Sequence, residues 1–256
     1  MRFDNDRIFN FALLLFSFAI LSFILAPIFN LLIHFPRIQV DQEVIAALKV
    51  SLISATIATL ISLTFGVPLS YLLSRKDFRG KNLLTILVIL PLVIPPVVGG
   101  ILLLMIYGPQ TLLSRLLKLE FTSTIVGIII AQIFIASPYL IISAKSSFDL
   151  INPNLEKVSL LLGRGRLETF QRITLPLAKK GILAGLMLTW TRSLGEFGAT
   201  VVMAYHPYSM PVKIWADFTG RGLSYALPSV VLLLMIPFTV FLILSFLEGG
   251  DDRGRV

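Results

Sequence analysis

The sequence has no cysteine, and among its 256 residues only two histidines, His34 and His206. Disulfides, thiolate metal sites and cysteine nucleophiles are therefore excluded, and a multi-histidine metal centre cannot be assembled. Charge is scarce as well, at 14% of residues. No glycine-rich phosphate loop of the P-loop pattern and no nucleophile elbow occurs anywhere in the chain. No catalytic set is visible, so the expectation is a non-enzymatic subunit with no cofactor of its own. What the chain has instead is apolar residue. It is 56% hydrophobic with a mean hydropathy of +0.88, the composition of a protein that crosses a membrane several times.

Apolar stretches near or above 20 residues mark membrane helices. They fall at about 8–34, 44–73, 83–107, 122–144, 177–204 and 225–247. An all-α polytopic membrane protein with six transmembrane helices is the fold class this implies. The first run is too long for a secretory signal and lacks a small-residue cleavage site, so it reads as an uncleaved span. The formal net charge of +8 fits basic cytoplasmic loops better than nucleic-acid binding. Lys and Arg counted between spans, in alternate segments, give 13 on one side and 5 on the other. The positive-inside rule then places both termini in the cytoplasm. The organisation expected is a first helix and outer loop over 1–43, a transmembrane body over 44–247 and a short cytoplasmic tail over 248–256.

One stretch breaks the greasy pattern: NPNLEKVSLLLGRGRLETFQRITLP, Asn152 to Pro176, carrying Glu156, Lys157, Arg164, Arg166, Glu168 and Arg172. Charges at that density cannot sit in hydrocarbon, where a central Arg, Lys or Asp costs roughly 3 kcal/mol. The stretch is still ordered by its own pattern. Asn152-Pro153 supplies a cap and a first-turn proline, and Glu156 lies near the positive end of the helix dipole. Leu155, Val158, Leu161 and Leu162 share a face. Gly163 and Gly165 interrupt, a second short helix groups Leu167, Phe170 and Ile173, and Pro176 is expected to end it. Two amphipathic helices at a glycine corner, outside the membrane, form a docking element. Leu161, Leu162 and Phe170 would be its apolar anchors, with Arg164, Arg166 and Arg172 at the rim.

The spans themselves carry proline and glycine: Pro91, Pro95, Pro96, Gly99 and Gly100 in the third, Gly66 and Pro68 in the second, and Pro228 and Pro237 in the sixth. Such breaks fit either kinked helices or helices that line a path. Small residues such as Gly181, Ala184, Gly185, Gly195, Gly198 and Ala199 permit close helix packing. Arg192 and Glu196 stand four apart in the fifth span, where ionisable groups normally face protein or water and pair. They read either as a structural pair or as lining groups of a permeation path. Lys49 reads as a snorkelling residue. Asp217 and Arg221 read as solvated loop charges.

The island resembles the cytoplasmic coupling loop of ABC importer permeases. In that family the loop reads E-A-A-x-x-x-G, nine residues, then I-x-L-P. Here Gly163 is followed by nine residues and Ile173-Thr174-Leu175-Pro176. Lys157 holds the place of the motif's glutamate, Val158-Ser159 that of the alanines, and Glu156 lies one residue early. GVPLSYLLSRKDFRGK (66–81), LPLVIPPVVGGILLL (90–104) and TRSLGEFGATVVMAY (191–205) are similar to permeases for molybdate, tungstate and sulfate. HPYSMPVKIWADFTGRGLSYALP (206–228) looks closer to archaeal molybdate/tungstate permeases. The resemblance spans roughly 44–247.

It implies a type I ABC importer permease fold and a homodimer enclosing the path. It further implies an extracytoplasmic oxyanion-binding protein above and two ATP-binding cassette subunits below, which use the ATP. The coupling set would be Glu156, Lys157, Leu161, Leu162, Gly163, Arg164, Phe170, Ile173, Leu175 and Pro176. The path or gate would draw on Pro95, Pro96, Arg192, Gly195, Glu196, Phe197 and Gly198. A sulfate permease and, further off, an ion-driven secondary transporter or a membrane scaffold or enzyme are the alternatives.

Overall fold

The computed structural model describes residues 2–33 and 41–251. His34 and the last five residues of the expected tail lie outside the described residues. Every regular element among the described residues is helical. Two units form, residues 1–39 and 40–256.

The first unit contains α1, Arg2–Ile33. From Phe9 to Phe29 apolar side chains cover every face, interrupted by Asn10, Ser17 and Ser22, and Phe9, Phe16 and Phe23 are open. A helix apolar all round suits hydrocarbon rather than a watery surface.

The second unit is built on α2, Gln42–Arg75, and α6, Ile125–Leu150. Asp41 caps α2 by accepting the Val44 N–H at 2.9 Å, and Thr124 caps α6 by accepting from Gly127 at 3.2 Å. The face of α2 turned inward is a stripe of small residues: Ser51, Ser54, Ala55, Ala58, Thr59, Ser62, Gly66 and Ser70 are buried. Helices in lipid gain nothing from apolar burial against one another, so close backbone packing must hold them, and small residues allow it. The hydroxyls stay satisfied because Thr59, Ser62 and Ser70 donate to carbonyls four residues back at 2.6–2.8 Å. Ser70 also donates to the Ile141 carbonyl of α6 at 3.0 Å. Against this pair lies α9, Leu175–Leu194. Ser143 of α6 donates to the Gly181 carbonyl of α9 at 2.8 Å. Leu140, Ala144, Phe148, Ala178 and Ile182 form the apolar centre where the three meet.

The third apolar run is not one kinked helix. It forms α3, Lys81–Val93, and α4, Pro96–Tyr107, which meet at 116°. Pro95 and Pro96 make the corner: proline fixes φ, lacks an N–H and pushes the preceding residue out of the helical region. Ile94 accordingly is extended, with ψ 129°. A short α5, Leu112–Leu117, follows α4. The fifth run is also interrupted, as α9 ends at Leu194 and α10 spans Gly198–Met203. α10 lies on α4, and Leu103, Ala131, Ile135, Ala199 and Met203 fill that contact.

The segment expected as an outer loop, 205–224, contains α11, Met210–Arg221. Asp217 is buried there and accepts from Lys213 at 2.8 Å. The reading of Asp217 as a solvated loop charge is therefore corrected. The polar residues of that stretch recur at helical spacing, and Lys213 and Asp217 are four apart on the packed face. α12, Leu223–Asp251, is the last element among the described residues.

Among the described residues four helices have the length and apolar character to cross a membrane, and there are five if the bent α3–α4 pair is counted as one span. α9 is not among them because Lys179, Lys180 and Arg192 reduce its apolar character.

Candidate functional site

The polar island folds much as its pattern dictates, with one exception. Asn152 accepts from the Asn154 N–H at 3.0 Å, and α7 runs Pro153–Leu161 from that cap. Gly163 then takes φ +86°. The left-handed region carries no steric penalty for glycine, and it lets the helix C-terminus turn sharply. A Cβ built at Gly163 meets nothing within 4 Å, so the backbone angle alone asks for glycine there. α8, Arg166–Thr169, begins three residues on. Ser159 of α7 and Thr169 of α8 share a buried hydrogen bond of 2.9 Å that closes the corner.

The exception is Pro176. It does not end the second helix. α8 passes through a π-turn, Phe170–Thr174, directly into α9. Pro176 lies in the first turn of α9, where a missing N–H is tolerated. Wider π hydrogen bonding at the preceding residues absorbs the irregularity. The corner is thus continuous with a bundle helix rather than hanging from it by a loop.

Side chains of the corner divide by direction. Leu161 is 86% exposed and Leu162 79%, and Leu155, Val158 and Leu167 are exposed beside them. Lys157, Gly163, Arg164 and Pro176 also lie open, and Ile173 and Leu175 are half-buried. Glu168 bridges to Arg172 at 3.3 Å. Phe170 goes the other way: its ring packs on Tyr71 at 4.8 Å and Phe148 at 6.2 Å. It anchors the corner to the bundle and is not one of the outward apolar side chains, unlike the expectation. A step of three along an α-helix leaves Leu167 and Phe170 about 60° apart, so sequence spacing groups them although one side chain faces out and the other in.

Glu156 also points inward. Its carboxylate accepts from Arg75 Nε at 2.9 Å, from the Thr174 hydroxyl at 2.9 Å and from the Tyr71 hydroxyl at 3.2 Å. Arg75 Nη2 donates to the Ile151 carbonyl at 3.0 Å. These partners escaped the sequence reading, although RKDFRGK had marked the end of α2 as basic. Beneath α7, between it and α2, is an open cleft of about 640 Å³ lined by Pro68, Tyr71, Lys76, Leu160 and Phe170 among others.

The second candidate cluster surrounds the break between α9 and α10. Arg192 and Glu196 do pair. Glu196 is past the end of α9, and Gly195 is the C-cap. Its side chain is 1% exposed, whereas that of Arg192 is 28% exposed. The carboxylate also accepts the Ala199 N–H at 2.9 Å, so one acidic group pairs with the preceding helix and caps the next. Gln132 of α6 donates to the Ser193 carbonyl at 3.0 Å, satisfying the broken end of α9. The ring of Phe197 packs at 5.7 Å from Trp215 of α11. Pro96 and Gly198 touch across α4 and α10: a Cβ at Gly198 would stand 2.8 Å from Pro96 Cβ. The structure thus brings Pro96, Glu196, Phe197 and Gly198 to one junction of broken helices, at the opposite end of α9 from the amphipathic corner.

Lys213 was not singled out by sequence. It is buried, and it binds Glu43 at 3.0 Å as well as Asp217 at 2.8 Å, joining α11 to the first turn of α2. Burial pulls its ammonium toward the neutral form, but the two carboxylates outweigh that and hold its pKa above the ordinary lysine value. A raised pKa means stabilisation present in full below the unfolded-state value and lost only as pH climbs through the folded one. Lys213→Met is expected to destabilise the purified chain by about 3 kcal/mol at neutral pH, since Asp217 is left buried and unpaired. Thermal unfolding in detergent checks this. Wild type should weaken above the ordinary lysine range, and the variant should not show that added loss.

Among the described residues no group of three or more His, Asp or Glu could hold a metal ion.

The fold is a bundle of long apolar and broken helices with one amphipathic corner. The family model for the binding-protein-dependent transport system inner membrane component matches residues 64–248, and the chain belongs to that family, a multi-pass family of the inner membrane. It is 44% identical over 207 residues to a probable molybdenum ABC transporter permease protein of Haloferax volcanii, covering 81% of this chain and 77% of that one. It is 33% identical over 250 residues to the molybdate/tungstate transport system permease protein WtpB of Methanocaldococcus jannaschii, covering 96% and 99%. A chain from the crystal structure of a bacterial alginate ABC transporter with a pentasaccharide-bound periplasmic protein superposes with a TM-score of 0.70 at 19% identity, over 92% of this chain and 93% of that one. That likeness supports the fold.

Proposed function

We propose that this chain is the permease subunit of an ABC importer for a tetrahedral oxyanion, molybdate or tungstate. The observation that carries the reading is the pair of outward leucines, Leu161 and Leu162, on a rigid corner outside the apolar bundle. Exposed large apolar groups ringed by charge mark a docking surface, and a chain without a phosphate loop needs a separate source of energy. Two ATP-binding subunits, one per permease copy, would seat these leucines, with Lys157, Arg164 and Gly163 at the rim and corner. Ile173, Leu175 and Pro176 would join that corner to α9. The names of the relatives support the cargo, and no cluster of basic side chains within the spans argues for selection by this chain. An extracytoplasmic binding protein would select and deliver the anion.

The six-span reading adds the interrupted α9–α10 segment to the four single helices and the α3–α4 pair. The count of 13 basic residues against 5 supports cytoplasmic termini, with the corner on the same side. The transmembrane body is 44–247, preceded by the first helix and outer loop and followed by the short tail. Two copies would enclose the path, and Pro95, Pro96, Arg192, Gly195, Glu196, Phe197 and Gly198 at the broken-helix junction would line or gate it. Ligand-biased rocking of two packed bodies gives alternating access.

The test is reconstitution in proteoliposomes with a co-expressed ATPase subunit and the cognate binding protein. ATP-dependent uptake of labelled molybdate, competed by tungstate and not by a large excess of sulfate, is the expected result. Competition by sulfate at equal concentration would reassign the cargo. Co-purification with no ATPase would count against the importer reading.

A further inference from the structure

The inference concerns Glu156 and rests on the importer reading. The family position for an acidic coupling residue is taken here by Lys157, and Glu156 is the neighbouring carboxylate. In the structure that carboxylate does not face the docking side. Its three donors come from one helix and one turn: Tyr71 and Arg75 on the last turns of α2, 85 and 81 residues away, and Thr174, 18 residues on, where the π-turn enters α9. The side chains of Arg75 and Glu156 are only 9% and 12% exposed. Arg75 also holds the carbonyl of Ile151, the residue before the Asn152 cap, and the adjacent Ser74 donates to Asp149 at the end of α6 at 2.6 Å. Among the described residues, Glu156 is the one side chain of α7 that hydrogen-bonds to a bundle helix. The other side-chain bond from α7, that of Ser159, stays within the corner.

We infer that Glu156 is a positioning residue, a latch that makes the coupling helix α7 move as one body with the inner ends of α2 and α9. Charge-assisted bonds from a partly buried carboxylate to three donors fix direction as well as distance. A force applied at Leu161 and Leu162 then reaches α2, whose small-residue face packs on α6 and α9, and the base of α9, whose far end is the break at Gly195. An element whose equilibrium is biased from both ends can carry coupling between them. Without the latch, α7 could follow the ATPase subunit while α2 and α9 stayed behind.

The test compares wild type, Glu156→Gln, Arg75→Glu and the exchanged pair Arg75→Glu with Glu156→Arg, each assembled with the ATPase subunit. The readout is anion uptake per ATP hydrolysed. Each single change is expected to lower that ratio about tenfold, inside the 5–150-fold range usual for coupling between sites, and the exchanged pair should recover most of it. Equal losses of uptake and hydrolysis in the single variants would make Glu156 a docking contact and overturn the latch, as would an exchange that restores nothing. Thr174→Val removes one donor with little change of shape. It should lower the ratio about threefold, and a ratio equal to wild type in that variant would also overturn the proposal. Hydrogen exchange over 152–174 in the permease alone reads the latch without transport: Glu156→Gln should raise it about tenfold or more across α7. Absence of uptake in wild type would count against the importer reading, and unchanged exchange in the variant against the latch.

Discussion

A chain carrying Leu161→Asp together with Leu162→Asp is expected to insert and fold normally and to lose essentially all ATP-driven uptake. The two side chains are 86% and 79% exposed, so they contribute little to the stability of their own bundle. Burying a leucine in a partner's groove contributes about 1.5–3 kcal/mol. Removing two such anchors amounts to a loss of partner affinity of roughly 10² to 10⁴-fold. The aspartates add the cost of taking unpaired charge out of water. A loss near 10³-fold is therefore the expected magnitude. Titration of the ATPase subunit onto purified permease measures it directly. A melting temperature equal to wild type would show that the bundle is intact. Retained ATPase affinity would move the docking surface away from this corner.

The corner was legible because its signals are local. Charge density set the island apart, Asn152-Pro153 marked its start, and Gly163 marked the turn that φ +86° requires. All three act within a few residues, where sequence spacing carries the physics. The partners of Glu156 were not legible. Arg75 is 81 residues away and Tyr71 is 85, and nothing in a single sequence pairs a basic cluster with one acidic residue at that separation. Phe170 and Pro176 were misread for a different reason. Phe170 stands about 60° round the helix from Leu167, enough to turn one inward and the other outward, and the π-turn at 170–174 carries the helix on, so that Pro176 falls in the first turn of α9.

The broken helices show the same division. Pro95 and Pro96 announced an irregularity, yet a kink and a 116° reversal have the same proline signature. What settles the angle is the surface that α4 lands on, namely α10 and α6. Arg192 and Glu196 were expected to pair at a spacing of four, and they do. The helix, however, stops between them, and the carboxylate uses its second oxygen to cap α10. A period argument assumes an unbroken helix and cannot see that added role.

That landing surface gives the last prediction. Gly100 and Gly198 face each other's helices with no space for a side chain. A Cβ at Gly100 would stand 2.9 Å from the Ala199 Cα and 3.0 Å from its carbonyl oxygen, and one at Gly198 would stand 3.0 Å from the Val97 nitrogen. These neighbours are backbone atoms, which cannot swing aside as a flexible side chain can. Overpacking a tight contact costs 1–3 kcal/mol when side chains can adjust, so Gly100→Val and Gly198→Val should each destabilise by about 3 kcal/mol or more. Both act by pushing α4 off α10, and a gap opened by one already accommodates the other. The double variant should therefore fall well short of the sum, by 1 kcal/mol or more, as is usual for residues sharing one contact. Uptake should fall further than stability does, because Glu196 caps α10 and Pro96 sets the corner at this same junction, so a shift of α4 displaces the groups proposed to line the path. Thermal unfolding of the two single variants and the double one in detergent measures the non-additivity. Strict additivity would mean that the two glycines serve separate contacts and that the α4–α10 junction does not move as a unit.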